Sequence, residues 1–179
     1  MPKISDIYSD TIWYRGSNSR HLEFRIDGNE ADEFGPGLYF TDSYEIAAGY
    51  GEVKAFRIDT TKGFYHKGSV INKRVLTQIV DYADEENLEI AISNWDENPK
   101  IGKHKLLQSI FSSKDMPEAI CAIAMDVFRW DREDFWMSCK ASGVYGLIYD
   151  DPYNSGRSTS FLVLFDPKKA IETIVPYED

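Results

Sequence analysis

The sequence predicts an α+β fold in which a mixed β-sheet is interrupted by a central block of helices. Two observations carry this. Strand-like apolar stretches occur near both ends of the chain, whereas from residue 70 to 130 the apolar residues recur at helical spacing. The strands also do not alternate with helices, as a parallel nucleotide-binding sheet would require. At 179 residues and 42% hydrophobic content, the chain has the length of one domain and enough apolar surface for a core. A single domain over 1–179 is therefore expected, with the helical insert at about 69–142.

Taken in order, Ile12 to Tyr14 is a short apolar strand running into a turn at Arg15-Gly16-Ser17. Residues 18–34 are polar and acidic and read as a loop, with one weak strand at Leu22 to Ile26. Gly35-Pro36-Gly37 breaks the chain before the aromatic strand Leu38 to Thr41. A short helix follows, capped by Asp42 or Ser43 and carrying Glu45, Ala47, Ala48 and Tyr50, with Gly49 and Gly51 ending it. Val53 to Asp59 alternates apolar and polar residues and reads as a half-buried strand. Helical spacing then appears in Val70–Ala83, Leu88–Trp95, His104–Phe111 and Pro117–Trp130, with Pro117 suited to a first turn. Val144–Tyr149 and Ser160–Phe165 read as strands flanking a loop rich in Asp, Asn, Gly and Ser, and Ile171–Val175 reads as a last strand after Asp166-Pro167.

Composition narrows the classes of function. A net charge of −10 argues against binding nucleic-acid phosphates or an anionic membrane surface, both of which need clustered Lys and Arg. No apolar run approaches the roughly 20 residues that cross a bilayer. Cys121 and Cys139 fall in helical stretches and no signal-like segment precedes Ile12, which points to a reducing, cytoplasmic setting. His21, His66 and His104 are scattered and no metal-binding spacing is present, so no metal is expected.

The chemistry concentrates in Phe34-Gly-Pro-Gly-Leu-Tyr-Phe-Thr41 and Tyr50. Glycines allow a ligand close to the backbone, and Tyr39 and Tyr50, brought together from a strand and the next helix, make flat walls for a planar ring. A cationic ring such as a pyridinium would gain about 0.5 to 2 kcal/mol from such faces. Spacing alone fits core packing of Tyr39, Phe40 and Tyr50 better.

The run from Phe34 to Tyr50 resembles the nicotinamide-binding segment of the poly(ADP-ribose) polymerase side of the ADP-ribosyltransferase superfamily: Gly-x-Gly-aliphatic-Tyr-Phe followed by Ala-x-Tyr. Tyr14-Arg15-Gly16, upstream, is similar to the first motif of that family. The resemblance covers 12–58 and 143–175. It implies a split mixed sheet of the ADP-ribosyltransferase type, with NAD as substrate. Gly16 would bond the nicotinamide amide through its backbone, Tyr39 and Tyr50 would sandwich the ring, and Arg15 would contact the ribose or phosphates, as guanidinium suits. Tyr14, Ser17, Phe40 and Thr41 belong to the same pocket segments, although the side chains of Trp13 and Tyr14 read as packing. Ala47 stands where the polymerases carry a serine, so that contact would have to come from Ser17, Thr41 or Ser43. Arg15 replaces their histidine and looks more like the arginine class of toxins and mono-transferases.

The third motif departs most. Breaking the glycosidic bond of NAD develops positive charge on the ribose, which a carboxylate stabilises. The family places a Glu at or just before a late strand, where this chain has Thr159 and Ser160. The nearest acids are Asp150 and Asp151, which open the preceding loop. Asp151 is taken ahead of Asp150, and an ordinary Asp-Asp-Pro turn accounts for both as well. Small phage and bacterial ADP-ribosyltransferases, including polyvalent-protein and anti-CRISPR types, look similar here and admit an Asp in that role. The resemblance thus implies a mono-ADP-ribosyltransferase that modifies a protein acceptor, in an effector or anti-defence setting. An NAD glycohydrolase, or an inactive module binding NAD, ADP-ribose or a protein, are the alternatives.

Overall fold

The computed structural model describes Tyr8 and residues 10–17, 37–129, 131–150 and 159–175. The weak strand expected at Leu22–Ile26, the Phe34-Gly35-Pro36 step, Trp130 and Asp151 lie outside them. The chain is α+β, with a mixed seven-stranded sheet. It gathers into two compact units. One contains Leu38–His66 together with the described residues up to Ser17 and those from Tyr145 onward; the other is Lys67–Val144 with Gly37.

The first unit holds the whole sheet: β1 (Trp13–Ser17), β2 (Leu38–Thr41), β3 (Glu52–Ile58), β4 (Phe64–His66), β5 (Gly146–Asp150), β6 (Ser160–Leu164) and β7 (Ile171–Val175). Their spatial order is β4-β5-β6-β2-β1-β3-β7, every adjacent pair antiparallel except β4 with β5. In β5 and β6 the apolar run is unbroken, and Leu147, Ile148, Leu162, Val163 and Leu164 are all fully buried, as strands covered on both faces must be. The expected alternation in β3 is imperfect: Ala55 and Phe56 are both buried, and the register with β7 shifts between Arg57 and Ile58. β4, too short to show a period, is an addition to the strands read from sequence.

One seam in this sheet is thin. β1 pairs with β3 at five positions but with β2 only at Tyr14–Thr41. Beyond that pair the two strands part, on the side where Arg15, Gly16 and Tyr39 lie. The helix α1 (Tyr44–Ala48) sits against β1, β2 and β3 beside this parting. It ends earlier than expected: Gly49 is the C-cap, so Tyr50 lies beyond the helix rather than within it.

The second unit is made of α2 (Lys73–Asp81), α3 (Glu85–Ser93), α4 (Pro99–Phe111), α5 (Met116–Asp126) and α6 (Arg132–Ala141), and α7 (Pro167–Ala170) is a short turn of helix back in the sheet unit. An Asn or Asp starts each of the five helices, with Asn72, Asp84, Asn98, Asp115 and Asp131 accepting from N–H groups of their first turns. These caps move the boundaries. Val70 precedes α2 and is exposed, while α3 and α4 begin before the first periodic apolar residue. Leu76, Ile79 and Val80 of α2, Leu106 and Ile110 of α4, Ile120 and Ile123 of α5, and Phe135 and Cys139 of α6 are buried at the spacing of one helical face. Buried Asp115 also accepts the Gly68 N–H at 2.8 Å, which ties the chain entering the unit to the start of α5.

Gly102 lets α3 and α4 pack closely, since a Cβ there would lie 2.5 Å from the Ile92 carbonyl oxygen. Gly102→Ala is expected to destabilise the protein by about 1 to 3 kcal/mol despite the better helix propensity of alanine, because the obstructing atom is backbone. Chemical denaturation would measure this; a more stable variant would contradict the packing.

Candidate functional site

The close approach of β1 to the end of α1 brings the two sequence motifs together. Gly16 lies against the end of α1, where an added Cβ would stand 1.8 Å from the Ala47 carbonyl oxygen and 3.2 Å from the Tyr50 Cβ. Glycine is therefore required at position 16 by packing alone. The same approach sets Tyr50 beside Gly16, with the Tyr50 N–H donating to the Ala47 carbonyl at 3.0 Å. Tyr50 is 67% exposed, so its ring is open to a ligand. From the adjoining residue, Arg15 Nη1 donates to the Tyr39 carbonyl at 3.5 Å, placing the guanidinium next to the second tyrosine of the motif. Tyr39 itself is half-buried.

Other residues of the same segments serve the scaffold. Phe40 is buried and packs edge-on against Phe56, with ring centroids 5.2 Å apart, so it is a core residue and presents no face to a ligand. Of the two readings of Phe40 from sequence, pocket lining and core packing, this is the geometry of core packing; the strand turns its neighbour Tyr39 the other way. Tyr14 meets Tyr44 edge-on at 5.8 Å. Two of the residues considered as substitutes for the missing serine are engaged locally: Thr41 Oγ1 accepts the Ser43 N–H at 3.2 Å, and Ser43 Oγ accepts the Ile46 N–H as the cap of α1 while donating to Glu45. Ala47 is buried against Gly16. Ser17, at the end of β1, is half-buried.

A second polar group forms along the heads of β2, β6 and β5. Asp150 is paired across the ladder with Ser160, and Ser160 Oγ donates to Asp150 Oδ1 at 3.0 Å. On the other side of Ser160, its N–H donates to Asp42 Oδ1 at 3.0 Å, and the Asp42 N–H donates to its carbonyl at 3.1 Å. Tyr8 lies near Ser160, Asp150 and Asp42. Asp150 is exposed and Ser160 is buried. Burial pushes the Asp42 carboxyl above the usual aspartate value, and the nearby Asp150 adds to this, while the Ser160 N–H pulls the other way. Burial likewise raises the Tyr8 phenol. Sequence reasoning offered Asp42 or Ser43 as the helix cap and did not single out Tyr8. The cap is Ser43, which leaves the Asp42 side chain to turn toward β6.

The register fixes the relation between these two groups. Thr41 pairs with both Tyr14 of β1 and Phe161 of β6, so Asp42 and Ser160 lie on the row just beyond it, whereas Arg15 and Gly16 lie on the opposite side of Tyr14. Tyr39 and Asp42 are thus about three residues, or roughly 10 Å, apart along one chain segment, and the register sets Ser160 and Asp150 two residues along from the row of Phe40. No family model matches the chain, and no curated protein or solved structure matches it. Among the described residues no helix is long and apolar enough to cross a membrane.

Gly16→Ala is expected to push α1 from β1, costing at least about 1 to 3 kcal/mol and lowering the melting temperature. An unchanged melting temperature would show that the contact yields freely.

For Asp42 the sign of the pH effect follows from its raised value. The folded state holds the proton more tightly than the unfolded chain, so stability falls as pH rises through the carboxylate range to the folded value, and ionised Asp42 carries a cost above it. Asp42→Asn keeps an oxygen acceptor and removes that cost. Its stability relative to the native chain should therefore improve between about pH 3 and pH 7. Denaturant melts at several pH values would read this, and a difference independent of pH would contradict it.

Proposed function

We propose that this protein is a mono-ADP-ribosyltransferase that binds NAD at the parting of β1 and β2, releases nicotinamide, and passes ADP-ribose to a protein acceptor. What supports the reading above all is the meeting of Gly16 with Tyr50, two motif residues far apart in sequence, at a place where one tyrosine ring is open and Arg15 adjoins the other tyrosine.

On this reading the nicotinamide ring lies between Tyr39 and Tyr50, whose faces favour its positive charge. The Gly16 backbone bonds the carboxamide, and Arg15 pairs with ribose or phosphate oxygens. As the bond from the ribose C1′ to the pyridinium nitrogen breaks, its electron pair goes to nicotinamide and positive charge grows on the ribose. Asp150 is the acid among the described residues that stabilises this charge, aimed by its bond to Ser160 at the head of β6, where the resembled family carries glutamate. A nucleophile of the acceptor then bonds C1′ and loses its proton. Water in its place would make the protein a glycohydrolase. Ala47, which has no hydroxyl and is buried against Gly16, favours a second reading, a module of the same fold that binds NAD or ADP-ribose without turning it over.

Labelled NAD incubated with the protein, with and without lysate, should give free nicotinamide and label on discrete acceptor bands. Tyr50→Ala and Arg15→Ala should each lower the rate by about 10-fold or more, since a single transition-state contact is worth at least 1.4 kcal/mol. Release without labelling would mean hydrolysis. NAD binding without release would establish the binding module, and no binding would end the proposal.

A further inference from the structure

The reading above uses Asp150 and Ser160 but leaves Asp42 unexplained. Asp42 grips Ser160 from both sides of its peptide, accepting from its N–H through Oδ1 at 3.0 Å and donating its own N–H to the Ser160 carbonyl at 3.1 Å. In a regular antiparallel pair the first of these acceptors would be the Asp42 carbonyl. Here the chain turns into α1 within two residues, and the side chain supplies that acceptor instead.

The consequence reaches Asp150. The one proton of the Ser160 hydroxyl goes to Asp150 at 3.0 Å. That bond points from the Ser160 hydroxyl to the Asp150 carboxylate. It holds only while Ser160 stays in register at the first position of β6, because a slip of one residue would turn its side chain to the other face of the sheet.

We propose that Asp42 is a positioning residue for Asp150: by holding the Ser160 peptide it keeps the Ser160 hydroxyl directed at the carboxylate that stabilises the reacting ribose. This rests on the transferase reading. Asp42 touches no substrate on this account and acts through Ser160.

The test compares steady-state NAD turnover by the native chain, Asp42→Ala and Asp42→Asn, together with hydrogen exchange at the residue-160 amide. Asp42→Ala should lower kcat by about 10- to 100-fold, as a displaced catalytic group does, and leave KM for NAD within about twofold. Its residue-160 amide should exchange faster. Asp42→Asn, which retains the oxygen acceptor, should recover most of the rate and the protection. If Asp42→Ala does not fold, Ser160→Ala takes its place: the backbone grip persists, the amide stays protected, and kcat should still fall. Native turnover in either alanine variant overturns the proposal while leaving the transferase reading intact. So does a loss in Asp42→Ala that Asp42→Asn fails to restore. Absence of turnover by the native chain overturns both.

Discussion

At Gly16 the backbone of β1 comes so close to the end of α1 that a single methyl group has no room, and much of the candidate site follows from that contact. With α1 held there, the short segment that leaves β2 must turn at once, and it does so on Ser43 as cap and Gly49 as stop. Tyr50, carried just past the helix, arrives beside Gly16. The sheet does its part by pairing β1 with β2 at only one position, so that Arg15 and Tyr39 meet through a side chain and a carbonyl rather than through a regular ladder. On the proposed reading, Gly16 would give a planar ring a backbone wall and Tyr50 an aromatic one.

How much of this was legible in the sequence depended on the kind of signal. Strands with an unbroken apolar run or a clear punctuation mark were plain: Leu38–Thr41 after its glycines, and Ile171–Val175 after Asp166-Pro167, have the expected bounds. Helices in the insert were legible by period but not at their ends, because the Asn and Asp caps lie before the first apolar residue of each period. The three residues of β4 carry no period at all, and their strand character comes from the neighbouring β5. The parting of β1 from β2 is likewise a property of the pairing, which no local pattern records.

At the candidate site, the motif residues stand out in the sequence because they are spaced by local structure: two tyrosines from a strand and the turn after a short helix, and a glycine at a strand end. Phe40 stands apart for the complementary reason: adjacent residues of one strand face opposite ways, and Phe40 is the buried member of the Tyr39–Phe40 pair. Asp42 escaped notice because two candidates, Asp42 and Ser43, competed for one cap. Once Ser43 took it, the aspartate was free to cross to a strand that lies 118 residues further along the chain. Contacts of such separation are the ones a single sequence cannot supply.

The absent glutamate is the point on which the proposed activity turns, and the cross-strand geometry bears on it. A residue at the head of one strand can be replaced by its partner on the neighbouring strand if something aims that partner, because directly opposed side chains lie only about 5 Å apart. Ser160 stands at the head of β6 and Asp150 is its ladder partner on β5, joined to it by a hydroxyl that can donate only one proton. The serine would thus convert a strand position without an acid into one that borrows an acid. That exchange demands a fixed serine, and Asp42 provides the fixing at a cost, because burial and the proximity of Asp150 both work against its own ionised form. A carboxylate kept in such a place for packing alone would be better replaced by asparagine, which makes the same bond without the charge.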